Sequence, residues 1–315
     1  MSNARNDFLY RLGLIQASLS EASVNDGAPT EVLKNGVASV LRNGLAVLCF
    51  TCLESFIKER TAEILNSFDA SAVNFSALPK SLQSAVTLGA LRGLIFRVKN
   101  EPKNSQIQWA LNHVTIIASS STSVANLSPL SFGNEASNIR KEDITGILSA
   151  FGVEDGWVNM TQLCKRVGLG GILDCSADFK SIAESRHKAA HSASAHTPIG
   201  DLTSHLQSAR AIGITFDLLL SEACHRHNKL RHLPTKPITL ESQIKLRFLS
   251  PHPTLVGHVK EETELIGPPR SLTTYHVHPD LATARTLALP RSATLNEHLV
   301  EVDTSAIPIQ WTNWK

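Results

Sequence analysis

Cysteine is scarce in this sequence and is not distributed as a disulfide framework would require. The chain has five cysteines in 315 residues. An odd, scattered set in a chain of this length excludes a disulfide-stapled fold and fits a reducing cytoplasm. Cys49 and Cys52 form a CxxC inside the apolar run LAVLCFTCLESFI, but no second CxxC completes a zinc site. We therefore expect both to be small core residues.

Long uninterrupted apolar runs are also lacking. Thr51, Glu54 or a glycine interrupts the longest stretches within about a dozen residues, whereas a membrane span needs about 20. The N-terminal letters MSNARNDFLYRLG lack the apolar core of a secretory signal. We expect a cytoplasmic protein without a membrane segment. The net charge of +2 neither requires nor excludes nucleic acid, because phosphate binding needs only a local basic patch.

Proline is rare in the first 233 residues, which contain five of the 14 prolines; the other nine lie between Pro234 and Pro308. Because proline is incompatible with helix interiors, the first part can be helical and the tail mostly cannot. Apolar residues make up 42% of the chain, enough for a substantial core. We predict a mainly α fold, with a helical domain over 1–232 and a small β-rich C-terminal extension over 233–315.

Hydrophobic periodicity refines this division. A 3.6-residue period recurs through the first part and predicts a series of helices, although QIQWALNHVTIIASSS is open between helix and strand. Asp174 or Ser176 is expected to cap the helix that ends near residue 191, and Thr197 with Pro198 to begin the last long helix. In the tail, short bursts of period-2 alternation predict strands at QIKLRFL, LVGHVKEE, LTTYHVH and HLVEVD.

One helical stretch, AESRHKAAHSASAHTPIGDL over 183–202, has an unusual composition. It places Arg186, His187, Lys188 and His191 within six residues, separated by small alanines. A core helix needs large apolar side chains at that density, and a surface helix usually mixes acid with base. The stretch is therefore a candidate site, and it has three competing interpretations.

Two of these interpretations involve no RNA. Basic residues near a helix C-terminus interact favourably with the helix dipole, each by about 0.3–1 kcal/mol. Alternatively, His187 and His191 share a helix face at i and i+4 and could bind a metal with His196 as third ligand. The spacing matches H-E-x-x-H, but Lys188 stands where that chemistry needs a glutamate. We therefore expect no metal and no cofactor.

The third interpretation is metal-free RNA cleavage. This reaction needs a base for the 2′-hydroxyl proton, an acid for the leaving 5′-oxygen and a cation for the charge on the phosphate. Imidazole suits the proton transfers because it titrates near neutrality, and a guanidinium suits the phosphate because it is always charged. His191 and Arg186 offer these groups, but five helical residues separate them by about 140°. They converge if the helix ends near His191, or a second subunit across a two-fold axis completes the site.

The motif resembles that of a known family. The letters RHKAAH match the R-x4-6-H signature of HEPN domains, which commonly have Asn, Asp or His directly after the arginine, where His187 stands here. As in that family, a short loop follows ESRHKAAH and a long last helix then opens at TPIGDL. The pattern GILSAFG…R…AH…T…DL is most similar to the RiboL-PSP-HEPN type, and the resemblance covers about residues 6–230. It implies an all-helical bundle and a homodimeric, metal-independent endoribonuclease.

The resemblance also implies roles and partners. Arg186 and His191 would form the catalytic pair and His187 the auxiliary polar residue, at a groove in the dimer interface, and the products would end in a 2′,3′-cyclic phosphate. Expected partners are RNA, with tRNA as one candidate, a second copy of the chain, and an antitoxin or regulatory partner. Such proteins often act as toxins or in defence against phage. The alternative is a non-catalytic interaction protein or antitoxin on the same bundle.

At two positions, the correspondence between this sequence and the family pattern is open. Many family members have glycine directly after the histidine, and here Ser192 stands there, so the backbone path after the motif is in doubt. Glu54, in LESFIKE on the long second helix, either corresponds to a buried acidic residue typical of the family or pairs with Lys58 at i+4.

Two further basic or imidazole-rich stretches have simpler explanations. His276 and His278 form an H-x-H that could chelate a metal from one face of a strand, but no cysteine or acidic cluster accompanies them, which favours surface histidines. The basic helix end ACHRHNKLRH, over 223–232, could follow an RNA backbone, and dipole complementation explains it equally well.

Overall fold

The computed structural model describes residues 2–71, 73–134, 138–192, 194–229, 238–265 and 271–313. The chain forms two compact units. A helical unit contains residues 2–157 and 174–239, and a C-terminal unit contains residues 158–173 and 240–315. The predicted domain boundary at 232/233 lies outside the described residues. The grouping of 158–173 with the tail is not apparent from the sequence pattern.

The fold class is confirmed as mainly α with a small β extension. The helices are α1 (Asn3–Ser18), α2 (Val32–Leu65), α3 (Lys80–Ser84), α4 (Ala90–Arg97), α5 (Gln106–Ser119), α6 (Lys141–Ala150), α7 (Gly156–Arg166), α8 (Cys175–His191), α9 (Ile199–Lys229) and α10 (Leu281–Leu295). A π-helical turn, Ala85–Gly89, joins α3 to α4. The segment that the sequence leaves open between helix and strand is helical, as α5.

Helix α2 is the centre of the helical unit, because α1, α8 and α9 all pack against it. Its apolar residues recur at helical spacing, and Leu53, Phe56 and Ile57 are almost completely buried. Phe8 of α1 stacks on Phe56 with ring centroids 4.4 Å apart. A Cβ at Gly213 of α9 would lie 2.5 Å from the Phe8 ring, so this glycine is needed for the close approach of α1 and α9.

The length of α2 corrects one expectation from the sequence. Thr51 and Glu54 do not interrupt it, so the helix has 34 residues and is long and apolar enough to cross a membrane by length and composition. Three helices of its own unit pack against it, which accounts for the 39% of its most apolar window that is buried. Arg42 and Arg60 are also buried along it with polar partners. We interpret α2 as the core helix of the bundle.

A buried ion network ties three helices together. Asp217 of α9 is fully buried and accepts hydrogen bonds from Arg5 of α1, at 2.7 and 2.9 Å, and from Nε of Arg60 on α2, at 2.6 Å. Arg60 also donates to Glu63 at 2.8 Å and to the Ser221 hydroxyl at 3.0 Å. Charges at this depth stabilise a fold only when they are fully paired, as these are.

The C-terminal unit contains a five-stranded sheet and α10. Its strands are β1 (Leu246–Pro251), β2 (Val259–Leu265), β3 (Ser271–His278), β4 (His298–Val302) and β5 (Pro308–Thr312). The strand order is β3-β2-β1-β4-β5, with β1 and β4 parallel and the other pairs antiparallel. The four predicted strands are confirmed. The tail is mostly not helical, as its prolines predict, but it contains one helix that the sequence did not reveal: α10 spans 15 residues with Pro290 inside it.

Buried charges also occur in the sheet. Glu261 of β2 is fully buried and accepts hydrogen bonds from Arg247 at 2.5 Å, from Nε2 of His278 at 2.8 Å, and from Arg291 of α10. Burial alone would raise the pKa of Glu261, but these three donors outweigh it and hold the pKa below its usual value. The carboxylate is therefore a structural anion within this unit.

Candidate functional site at the end of helix α8

Helix α8 changes character along its length. It begins at a side-chain cap, because the Asp174 carboxylate accepts hydrogen bonds from the backbone N–H groups of Ser176 and Ala177 at 2.8 and 3.2 Å. Between the two predicted caps, the structure therefore selects Asp174. The first half buries Cys175, Phe179 and Ile182. The second half has no large apolar side chain, so its last two turns present the predicted site residues.

The two motif histidines lie together at the last turn. The ring centroids of His187 and His191 are 4.8 Å apart, with their planes tilted by 51°, and both side chains are exposed. The shared face that the i, i+4 spacing predicts is therefore present. The helix ends at His191, and the Ser192 backbone N–H donates to the Lys188 carbonyl at 3.0 Å. Neither imidazole is locked in place by a hydrogen bond to another described residue.

Arg186 lies apart from this imidazole pair. It is half-buried, and its Nε is shielded from solvent without a hydrogen-bond partner. Within the described part of the chain, its guanidinium makes no ion pair and no hydrogen bond, so the structure does not join Arg186 to His191. A buried polar group without a partner costs about 1–3 kcal/mol, and more when it is charged. Such a group in a folded protein calls for an explanation, and an external acceptor is one.

The loop after the motif is held by a buried arginine that sequence reasoning missed. Arg42 of α2 is 1% exposed. Its Nε donates to the Thr197 carbonyl at 2.9 Å, Nη1 to the Val24 carbonyl at 2.7 Å, and Nη2 to Asp26 at 3.0 Å. Nη2 also lies 3.3 Å from Nδ1 of His196. Arg42 therefore fixes the chain directly after the motif.

Two neighbours of Arg42 on α2 hold the same loop. The Asn43 side-chain amide donates to the Ala195 carbonyl at 2.8 Å and accepts from the Thr197 hydroxyl at 2.9 Å. The Ser39 hydroxyl lies 3.4 Å from the Ala195 carbonyl and 3.3 Å from Nδ1 of His196. In the sequence, the sign of these anchors was a polar Arg-Asn pair inside the apolar segment SVLRNGLAVL. Such a pair indicates buried polar contacts but does not show which residues the two side chains contact.

This anchoring corrects the prediction for the start of the last helix. We expected Thr197 to cap it, with Pro198 as the first helical residue. Helix α9 begins at Ile199, and the Thr197 hydroxyl donates to Asn43. The Thr197 side chain thus binds the loop to α2 and does not cap α9.

Glu54 is accounted for without the motif. Its carboxylate accepts from Lys58 Nζ at 2.8 Å, as the second of the two sequence interpretations predicts. The same oxygen accepts the backbone N–H of Ile139 at 2.9 Å, just before α6 begins. Glu54 therefore anchors α6 to α2, and the structure gives it no contact with Arg186 or His191.

The structure does not assemble a metal centre from the histidines. Among the residues that the structure describes, no group of three or more His, Cys, Asp or Glu side chains is placed to hold a metal ion. His196, the third ligand in the metal interpretation, has Nδ1 beside the Arg42 guanidinium. Cations at both Arg42 and Lys188 make the surroundings unfavourable for a divalent ion.

The H-x-H of the tail has a different role from the one expected. His276 is an exposed residue, as predicted, and its ring centroid lies 5.9 Å from that of His278. The surface assignment of His278 is wrong, because its ring is buried against Glu261 at 2.8 Å. The CxxC prediction is confirmed: Cys49 and Cys52 are buried free thiols. Burial raises the pKa of Cys49 to about 12, so its thiol is unreactive at neutral pH.

The second basic stretch, at the end of α9, does not belong to this site. Arg226 also has a shielded Nε without a hydrogen-bond partner. It lies about 40 Å along α9 from the helix start that follows the motif. Residues 230–232 of this stretch lie outside the described part of the chain.

These observations define a class of protein before any comparison is made: a helical bundle that presents an arginine and two imidazoles at one helix end. A model of the RiboL-PSP-HEPN family matches residues 6–222, more than half of the chain. The protein belongs to the RiboL-PSP-HEPN family, as the motif and its context predicted. Searches of curated proteins and of solved structures return no match. Family membership supports a nuclease or RNA-related role.

Proposed function

We propose that the protein is a metal-independent endoribonuclease with Arg186 and His191 as its catalytic pair and His187 as an auxiliary residue. The observation that carries the proposal is the half-buried guanidinium of Arg186, which has no partner among the described residues and stands on the same last turns of α8 as His187 and His191, whose ring centroids are 4.8 Å apart. A phosphate would supply the acceptor that Arg186 lacks. Family membership supports the same chemistry at a coarser level.

In the proposed reaction, the 2′-oxygen attacks phosphorus while the bond from phosphorus to the 5′-oxygen breaks. One imidazole takes the 2′-hydroxyl proton and another gives a proton to the leaving oxygen, which yields a 2′,3′-cyclic phosphate and a free 5′-hydroxyl. His191 performs one of these transfers. Arg186 stabilises the charge that accumulates on the phosphate, and His187, beside His191, orients the ring or contacts the phosphate.

A second copy of the chain would supply the other imidazole. Support for a dimer comes from an exposed apolar row on α2, which we name the α2 stripe. Its members and their exposed fractions are Leu33 (83%), Val37 (48%), Val40 (71%), Leu41 (40%) and Leu48 (52%). A Cβ at Gly36 or Gly44, on the same face, would meet nothing within 4 Å. The stripe lies at the same level along α2 as the loop anchors Ser39 and Arg42, which project from other sides of the helix.

The cellular role follows from the same chemistry. A nuclease that needs no metal is potentially toxic, so we propose a toxin or phage-defence effector in the cytoplasm, restrained by an antitoxin or regulatory partner. Its substrate is cellular RNA, with tRNA as one candidate.

The central experiment is cleavage of total RNA and tRNA by purified protein in EDTA. We expect wild type to cut, and Arg186→Ala and His191→Ala each to lose at least about 100-fold in rate, because each removes a group that acts in the transition state. His187→Ala should lose less. Lys180→Ala is the matched control on α8, because its side chain is 75% exposed and lies outside the motif. Loss of cutting in EDTA would contradict the metal-free mechanism.

The alternative function is a non-catalytic interaction protein that uses the same bundle. Equal inertness of wild type and both site variants on every RNA tested would favour it. The dimer is tested separately, by sedimentation of Val40→Asp. We expect a shift to monomer and loss of cleavage, whereas Ile107→Asp on α5, where the side chain is 77% exposed, should leave the oligomeric state unchanged. A wild-type monomer that cuts RNA would refute the shared site.

A further inference from the structure

A polar groove lies between α8 and the start of α9, beside the motif. It has a volume of about 360 Å³, within the range of small-molecule sites. Its floor contains the nearly buried His205, whose Nε2 lies 3.3 Å from the Ser181 hydroxyl, and Asp178, which accepts from Ser208 at 3.0 Å. Lys188, from the motif helix, lines the rim. Among the described lining residues only Ala195 and Pro198 are apolar, so a ligand here is recognised by hydrogen bonds.

The charges in the groove exclude a phosphate. Three carboxylates line it, from Asp178, Glu184 and Asp201, against the single ammonium of Lys188. An anionic group would be repelled by this excess of negative charge. The occupant must therefore offer N–H donors to the carboxylates, together with acceptors for the few donors in the groove.

Asp201 is the carboxylate available to a ligand. Asp178 is engaged with Ser208, and Glu184 lies 3.7 Å from Lys180. The Asp201 side chain makes no hydrogen bond or ion pair with any residue in the described parts of the chain. The same holds for the ammonium of Lys188. The groove thus offers one free acceptor pair and one free cation on opposite helices.

His196 contributes a donor whose proton position follows from its neighbour. Nδ1 of His196 lies 3.3 Å from Nη2 of Arg42. A guanidinium only donates hydrogen bonds, so Nδ1 must accept, and the ring proton is on Nε2. His196 therefore offers an Nε2–H donor among the residues that line the groove.

We infer that the groove binds a guanine base of the RNA strand, next to the phosphate that is cleaved. Guanine has two adjacent donors, N1–H and N2–H₂, that match a carboxylate, and two acceptors, O6 and N7, that match Lys188 and the Nε2–H of His196. Adenine instead places its N6 amino group beside N7, where it would oppose the two donors. Asp201 is thus the specificity-determining residue. This inference rests on the proposed nuclease function and identifies its substrate class.

The binding test separates base recognition from cleavage. Titration of the His191→Ala variant, followed by NMR, would use GMP, IMP and AMP, which share a phosphate and differ only in the base. We expect GMP to bind at least about 10-fold more tightly than AMP, with IMP weaker than GMP because it lacks the N2 amino group. Asp201→Asn should reduce the preference for GMP by about 10–100-fold, the effect of one hydrogen bond to a charged group. Asp7→Asn, which changes a 63% exposed carboxylate on α1 outside the groove, is the matched control and should preserve the preference.

Mapping of cut sites in a randomised RNA completes the test. We expect guanine to be enriched at one position beside the cut in wild type, and the enrichment to disappear in Asp201→Asn while cutting persists. Cutting without base preference, together with equal binding of GMP and AMP, would overturn the guanine site and leave the nuclease intact. Selective GMP binding without any RNA cleavage would keep the guanine site and overturn the nuclease.

Discussion

Two arginines in the helical unit, Arg42 on α2 and Arg186 on α8, have opposite surroundings. Arg42 is 1% exposed and donates to two backbone carbonyls and one carboxylate, all within 3.0 Å. Arg186 is half-buried, and its Nε has no partner among the residues that the structure describes. The buried donors of both side chains have been removed from water, at a cost that acceptors offset. For Arg42 the acceptors belong to the fold, and for Arg186 we infer that they belong to a substrate.

The ion network of Asp217 extends the lesson. Arg5 and Arg60 converge on one buried carboxylate, and both are saturated by it and its neighbours. None of these groups is available to an external molecule. A buried charge by itself therefore does not indicate a functional site in this protein. A buried charged group whose hydrogen-bonding atoms lack partners does. The Nε of Arg226, far from the motif, also has no hydrogen-bond partner among the described residues. An unpartnered arginine therefore indicates a site in this protein only where imidazoles adjoin it.

The largest expected effect on stability comes from removing the carboxylate at the centre of the Asp217 ion network. Asp217→Ala leaves two buried guanidinium groups without their common partner, and we expect unfolding to become easier by about 3–5 kcal/mol. Urea denaturation followed by circular dichroism measures it. Arg186→Ala is the contrasting variant and should change the free energy of unfolding by less than about 0.5 kcal/mol, or raise it, because it removes an unsatisfied group. Equal destabilisation by the two variants would contradict the distinction between the paired charges around Asp217 and the unpaired Arg186.

A smaller effect is expected from Arg42→Met. The variant keeps the apolar stem and removes the donors, which leaves the Thr197 and Val24 carbonyls unsatisfied, so we expect a loss of about 1.5–3 kcal/mol. Hydrogen exchange should also accelerate across 195–197, where the loop loses its anchor. The matched change Arg186→Met should alter neither quantity. An unchanged loop in Arg42→Met would show that Asn43 alone holds it.

The smallest effect concerns acid. Burial lowers the pKa of His227, whose Nε2 lies 2.9 Å from the Phe151 carbonyl, and lowers that of His205 despite the opposing charges of Asp201 and Asp178. The unfolded chain, with histidine near 6.5, then binds protons more tightly than the native state. Stability should be full above about pH 6.5 and fall as the pH drops toward the native values. His227→Gln, which retains a donor, should make the fall shallower in unfolding measurements at pH 7 and 5.5.

Much of the fold and half of the site could be predicted from the sequence. The helical periodicity, the strand bursts and the RHKAAH motif are local patterns, and each is present where it was expected. Helix α10 was missed because Pro290 signals against a helix, although tertiary packing of Ala284 and Ala288 on the sheet overrides that signal. Arg42 and Asn43 were missed because their partners in the loop at 195–197 are more than 150 residues away in the chain.

The sequence by itself determined that this is a mainly helical protein of the RiboL-PSP-HEPN family, with His187 and His191 on one helix face, since periodicity and i, i+4 spacing depend only on neighbours along the chain. Only the tertiary structure decided which charged groups are satisfied. Whether Arg42 is satisfied depends on the Thr197 carbonyl, 155 residues away, as well as on Val24 and Asp26, and whether Arg186 or Asp201 finds a partner likewise depends on the folded surroundings. Burial and hydrogen bonding are properties of the folded surroundings, so no local pattern of letters could reveal them.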